Sequence, residues 1–227
     1  MDNMTTARTK VSFSLSPSSL NLFLECPRCF WLSIVKKQKR PSGPFPSLPS
    51  GVDRILKNHF DNYRMKGELP PELKHHKIEG KLFADMNLLK IWRDNFKGIH
   101  FVDPESGILL RGAVDDLLET ESKLIVLDYK TRGFPLKEDS QSYYQNQLNL
   151  YNFLLRKNGY GTEDYSYLLF FIPKGINDKG HFEFDTELVK VNVNVKFAED
   201  VFHKAITLIQ NEMPEAKKEC GFCQWNS

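Results

Sequence analysis

The sequence predicts one α/β domain with helical elements on its N-terminal side. Three observations carry that expectation. Apolar residues recur at helical spacing through the N-terminal third, the period shortens to that of strands between residues 99 and 130, and helix, strand, strand and helix then follow. A chain of 227 residues buries a substantial core, and 41% hydrophobic content is ordinary for a globular protein. Lys+Arg 31 against Asp+Glu 29 gives a net charge of +2, so any nucleic-acid surface has to be local.

Residues 1–16 are polar and read as a flexible N-terminal arm, with the domain spanning 17–227. No apolar segment follows Arg8 and Lys10, so the arm does not resemble a secretory signal. No run reaches the roughly 18 apolar residues of a membrane span. Four cysteines without an export signal point to a reducing, cytoplasmic setting, where close cysteine spacing reads as metal binding.

The serines from Ser12 to Ser19 supply caps for a helix starting near Pro17 or Ser18, and apolar residues from Leu20 to Val35 predict that it is largely buried. A basic run, Lys36 to Arg40, and a Pro/Ser/Gly-rich loop, Pro41 to Gly51, follow. A second helix is expected over Val52–Met65 and a third over Leu82–Phe96, with Pro70-Pro71 breaking the chain between them. Strands are expected at Ile99–Val102, Ile108–Val114 and Lys123–Lys130, separated by turns at Pro104–Gly107 and Glu119–Ser122. A helix over Ser140–Lys157 ends at Asn158-Gly159. Ser166–Ile172 is apolar enough for the centre of a covered sheet, Phe182–Val195 reads as a strand or hairpin, and Lys196–Asn211 is the last helix.

Chemistry concentrates in Arg111-Gly112-Ala113-Val114-Asp115-Asp116 and Leu127-Asp128-Tyr129-Lys130. On a strand Asp128 and Lys130 share one face while Tyr129 points to the other. A hairpin through Glu119–Ser122 would bring Asp115 beside Asp128. Two carboxylates and an amine suit divalent-metal hydrolysis of a phosphodiester, with Mg2+ or Mn2+ on the carboxylates and Lys130 at the attacking water or the developing charge. A lone Asp-X-Lys is usually a surface ion pair. Here it ends a very apolar strand, and a second Asp follows Gly-Ala-Val. Tyr144, Gln147 and Tyr151 share one helical face, which suits phosphates or bases but equally the polar fringe of an amphipathic helix.

Together Gly112-Ala113-Val114-Asp115, Leu127-Asp128-Tyr129-Lys130 and Gln147-Leu148-Asn149-Leu150-Tyr151 resemble the PD-(D/E)XK nuclease superfamily. The likeness is to its RecB-like branch, which includes the RecB and AddB nuclease domains and CRISPR-associated exonucleases, and runs from about Ser16 to Trp225. It implies a restriction-endonuclease-like core, a mixed β-sheet flanked by helices, and metal-dependent DNA cleavage. It also implies metal ligands at Asp115 and Asp128, the lysine at Lys130, and the glutamine-tyrosine motif at Gln147 and Tyr151. That branch takes a further metal ligand from a histidine several residues after a glycine. Here Gly51 is followed by Asp53 and His59, neither at the usual offset, and either is a candidate.

Cys26-Pro27-Arg28-Cys29 and Cys220-Gly221-Phe222-Cys223 supply four thiolates, enough for tetrahedral zinc or a 4Fe–4S cluster joining the two ends of the chain. Several RecB-like members hold a 4Fe–4S cluster with an early cysteine in a Cys-Pro-Arg-like turn, which favours the cluster. The two-and-two split departs from their one-and-three and keeps Zn2+ as the alternative. Lys36, Lys37, Lys39 and Arg40, with Arg54, Lys57 and Arg64 on the next helix, are the candidate phosphate contacts. No base-reading motif accompanies them, so little sequence specificity is expected. The expected function is a metal-dependent DNA nuclease. The rival is a non-catalytic protein of the same fold that binds nucleic acid or a partner.

Overall fold

In the computed structural model, which describes residues 13–225, the chain reaches its first helix through β1 (Ser14–Leu15). Ser16 then caps α1 (Pro17–Glu25), its hydroxyl and that of Ser19 bonding each other's backbone N–H groups. The expected arm is therefore corrected at its end, because Leu15 is buried and β1 pairs with a strand of the domain; residues 1–12 lie outside the described residues. The long first helix is also corrected to two. Proline lacks the N–H that would continue the ladder and drives the preceding residue to extended backbone. Cys26 accordingly ends α1 at φ −152° and ψ 101°, and Pro27 starts α2 (Pro27–Val35).

The second helix starts earlier than expected, as α3 (Ser47–Lys66), since Pro49 falls in the first turn, where no N–H is needed. A short α4 (Pro71–Lys74) and β2 (Lys81–Leu82) follow. The helix expected over 82–96 shrinks to α5 (Met86–Trp92), because Asp85 accepts hydrogen bonds from the N–H groups of Asn87 and Leu88 and so sets the helix start.

Two sheets come next. One has the order β1, β4 (Leu109–Gly112), β3 (Ile99–Val102); the other has β2, β5 (Asp116–Glu119), β6 (Leu124–Thr131), β7 (Tyr165–Ile176), β8 (Phe182–Asn192). The expected strand over 108–114 is in fact a passage from one sheet to the other. A Cβ on Gly112 would stand 2.9 Å from the Tyr151 ring and 3.1 Å from Leu154, so only glycine lets the chain pass under the helix carrying them. Ala113–Asp115 then bridge the sheets.

β5 and β6 pair antiparallel with Asp116 opposite Leu127, which puts Asp115 next to Asp128. α6 (Ser142–Lys157) makes the crossover from β6 to the parallel β7, and α7 (Val195–Gln210) packs against it. β6 is covered on both faces. Leu124 and Val126 join the core under α6 and α7, while Ile125, Leu127 and Tyr129 join a second core with Leu56 and Phe60 of α3. Asp128 and Lys130 extend the α6-facing row, and α8 (Gly221–Trp225) closes the described chain. This is the mixed α/β architecture, a mixed sheet flanked by helices, that the sequence predicts. Among the described residues no helix is long and apolar enough to cross a membrane.

Candidate active site and cysteine staple

Asp115, Lys130, Gln147 and Tyr151 line one cleft together with Asp53 and Lys57. β6 and α6 bring them there from opposite sides. Lys130 Nζ donates to Gln147 Oε1 at 3.2 Å and lies 4.7 Å from the centre of the Tyr144 ring. Gln147 Nε2 donates in turn to the Tyr151 hydroxyl at 2.7 Å. Asp115 accepts the Tyr129 backbone N–H at 3.0 Å on one oxygen and meets Lys57 Nζ at 3.0 Å on the other.

Asp128 is the unusual member. Its side chain is 1% exposed, and Lys130 Nζ stands 2.5 Å from its Oδ2. The ammonium stands at ion-pair distance, and among the described residues no other group donates to either carboxylate oxygen. Burial, and then the charge of Asp115, push Asp128 up to about 7 against the opposing pull of Lys130. Burial works against the charge on Lys130, yet Asp128 and Asp115 outweigh it and hold the ammonium charged. Lys57 is raised in the same way by Asp115 and Asp53. Burial and the two aspartates keep Tyr151 protonated far above the usual tyrosine range. A buried carboxylate held only by one ammonium, beside a second carboxylate, fits a hard divalent cation.

His59 is a correction. Two residues beyond Lys57 is about 200° around a helix. Its Nε2 bonds Glu72 of α4 at 3.1 Å, and its ring packs edge-on to Phe60 and Tyr63, outside the cleft. Asp53, one turn before Lys57, does line the cleft. Three of the expected phosphate contacts are corrected as well. Lys57 turns inward. Arg64 is buried against Asp116, and Arg40 pairs with Glu25 at 2.6 Å while lying over the Phe222 ring. Lys36, Lys37, Lys39 and Arg54 are exposed, with Lys36 and Lys37 over the rings of Trp31 and Phe13.

Sequence reasoning missed the network around Asp116. This carboxylate is fully buried and accepts from Arg64, from Arg93 at 2.9 Å, from the Tyr129 hydroxyl at 2.5 Å and from the Leu117 N–H at 2.8 Å. Arg93 also holds Asp61 at 2.8 Å and donates through Nε to the Asp115 carbonyl at 2.6 Å, anchoring the backbone at the edge of the cleft. The one signal was Asp116 itself, a charged residue at the head of an apolar strand.

The cysteines meet as expected. Pairs stand 3.5 Å (Cys26–Cys223), 3.7 Å (Cys29–Cys220) and 3.8 Å (Cys29–Cys223) apart, and all four sulfurs lie within 4.8 Å of one another. Burial raises the Cys29 thiol. It would raise Cys220 too, but the Cys223 backbone N–H and the neighbouring sulfurs outweigh burial and lower it. Four thiolates at 2.3 Å from one tetrahedral ion would be about 3.8 Å apart. The three shortest pairs are near that spacing, and the four thiolates supply the donors that either one ion or a 4Fe–4S cluster needs. The tail is also held by side chains: Trp31 Nε1 donates to the Asn211 carbonyl at 3.1 Å, Arg28 to Pro214 at 3.0 Å, and Lys217 to Glu25 at 2.8 Å.

A family model for the PD-(D/E)XK nuclease superfamily matches residues 48–227, which takes in the carboxylate cleft and both late cysteines. The chain belongs to that superfamily. The PD-(D/E)XK chain is also similar to a solved structure described as the crystal structure of SSO0001. That likeness covers 94% of this chain and 84% of the other, at 12% identity and a TM-score of 0.43. No curated protein matches it.

Proposed function

We propose that this PD-(D/E)XK chain is a RecB-like DNA nuclease, one domain over 17–227 that hydrolyses phosphodiester bonds with Mg2+ or Mn2+ and little sequence specificity. The observation that carries the reading is Asp128, buried without hydrogen-bond partners beside Asp115 and Lys130. Asp115 and Asp128 would hold the divalent cation. When bound, it supplies an acidified water and offsets charge on the scissile phosphate. Lys130 stays protonated between two carboxylates, so it steadies transition-state charge and orients the water rather than removing its proton. Gln147 accepts from that ammonium and donates to Tyr151, which fixes the ammonium's direction. Asp53 stands at the cleft as a further acid.

The four thiolates would hold one structural ion, for which the sulfur spacing favours Zn2+. Metal analysis and a visible spectrum of anaerobically purified protein test this: one zinc per chain is expected, and a broad iron–sulfur absorption would select 4Fe–4S instead. Cys223→Ser should lose the metal and lower the melting temperature.

Cleavage of labelled DNA with and without Mn2+ tests the main reading. Metal-dependent products are expected. The displacement of His59 from the cleft favours one rival, a non-catalytic nucleic-acid binder lacking a metal ligand, and DNA affinity without cleavage would select it.

A further inference from the structure

Lys57 occupies an unusual place for a surface-helix lysine. Its ammonium lies between two carboxylates, 2.9 Å from Asp53 Oδ2 and 3.0 Å from Asp115 Oδ1, and its side chain is only 22% exposed. Asp115 is thereby engaged on both oxygens, one by the Tyr129 N–H and the other by a cation. Asp128, its neighbour across the strand pair, has no hydrogen-bond partner on either oxygen. Each carboxylate of the pair thus already faces an ammonium, Lys130 at Asp128 and Lys57 at Asp115, but Lys57 alone has a further carboxylate, Asp53, outside the pair.

A divalent cation on Asp115 would stand against that ammonium, and like charges at such separations in a half-buried cleft repel strongly. The ammonium has somewhere to go. Asp53 lies one helical turn before Lys57 and already touches it, and the four-carbon stem allows the head group to withdraw onto Asp53 alone. We propose, resting on the metal-dependent nuclease reading, that Lys57 is a resident counter-cation that a divalent ion must displace from Asp115, with Asp53 receiving the ammonium. Lys57 then sets the metal concentration at which the site fills. Metal binding becomes an exchange of cations, and its apparent affinity is lowered by the Lys57–Asp115 contact it breaks. This assigns Lys57 a role in metal selection and none in contacting the reacting phosphate.

The test is Mn2+ binding to the full chain, followed by calorimetry and by loss of the free-ion electron paramagnetic resonance signal. Lys57→Met should bind Mn2+ about tenfold or more tightly, since removing one competing contact of about 1.4 kcal/mol is a factor of ten. Lys57→Gln, which keeps a polar head group, should show the same direction and covers the case in which the methionine variant fails to fold. Lys57→Arg retains the charge and should bind as the wild type does or more weakly. Unchanged or weaker binding in both neutral variants would overturn the inference. If the wild type binds Mn2+ and cleaves DNA while Lys57→Met gains nothing, this inference alone falls. If no variant binds Mn2+ and nothing is cleaved, the nuclease reading falls and takes this one with it.

Discussion

Asp116 and Asp128 lie on paired strands, Asp116 opposite Leu127 and so one position out of register with Asp128, at 0% and 1% side-chain exposure, yet their surroundings are opposite in kind. Asp116 accepts from two guanidiniums, a phenol and a backbone N–H, so its charge is fully compensated. Asp128 has one ammonium beside it and no hydrogen bond. Burying a carboxylate is costly unless it is paired and bonded. Asp116 meets that condition fully within the chain, and Asp128 meets it in part, through its ion pair with Lys130. The contrast separates a carboxylate whose charge the fold itself compensates from the one that the proposed nuclease reading gives to a metal ion.

The largest effect should come from breaking the satisfied member. Asp116→Ala takes from buried Arg64 its closest carboxylate, from Arg93 one of its two, and from the Tyr129 hydroxyl its acceptor. Stability should fall by roughly 3–5 kcal/mol in urea denaturation. A loss below 1 kcal/mol would show that the network is not what holds this end of the sheet. Asp128→Asn should behave oppositely, with a fold as stable as the wild type at neutral pH and no cleavage. Lys130→Ala comes next. Cleavage should drop by about 10²–10³-fold, the scale of losing one group aimed at transition-state charge, while the melting temperature stays near that of the wild type. Undiminished turnover would remove Lys130 from the chemistry.

A subtler effect concerns pH. Asp128 moves from an ordinary 3.8 up to about 7 because burial and Asp115 disfavour its charge. The folded chain therefore binds this proton more tightly than the unfolded chain does. Its contribution to stability is fully present below about pH 4 and is lost as pH rises towards about 7. Urea midpoints in chelator should show that decline superposed on other titrations. Saturating Mn2+ should flatten it by holding Asp128 ionised, and Asp128→Asn should lack it. A decline unchanged by either would assign it to another group.

The smallest effect lies on the surface. Neutralising Lys39 or Arg54, both exposed, should weaken DNA binding uniformly across sequences and reduce the salt dependence by about one ion per residue. An unchanged slope would place the DNA path elsewhere.

The order of elements was legible in the sequence because period and turn residues are local properties. The apolar run of β6, the Glu119–Ser122 turn and the stripe on α6 each announce themselves within a dozen residues. The approach of Asp115 to Asp128 and Lys130 followed from alternation and a hairpin, whereas Gln147 and Tyr151 joined them in the sequence reading only through the family resemblance. The cysteine pairs were legible too, as two spacings with no cysteine left over. Pro27 is equally visible in the sequence, but that it splits the first helix where Cys26 and Cys29 meet the tail is decided by packing.

What only the tertiary structure decided is which charges face which. His59, Lys57 and Arg64 lie on one helix within eight residues, and sequence alone gives no reason to send them to Glu72, the carboxylate cleft and buried Asp116. Likewise Gly112 reads as an ordinary strand glycine until Tyr151 and Leu154 press on it from a helix 40 residues away. Secondary structure follows from short-range sterics and apolar periodicity, which the chain carries locally. The pairing of a buried charge depends on the side chains that other elements bring to it, and that is settled only when the sheets and helices have packed.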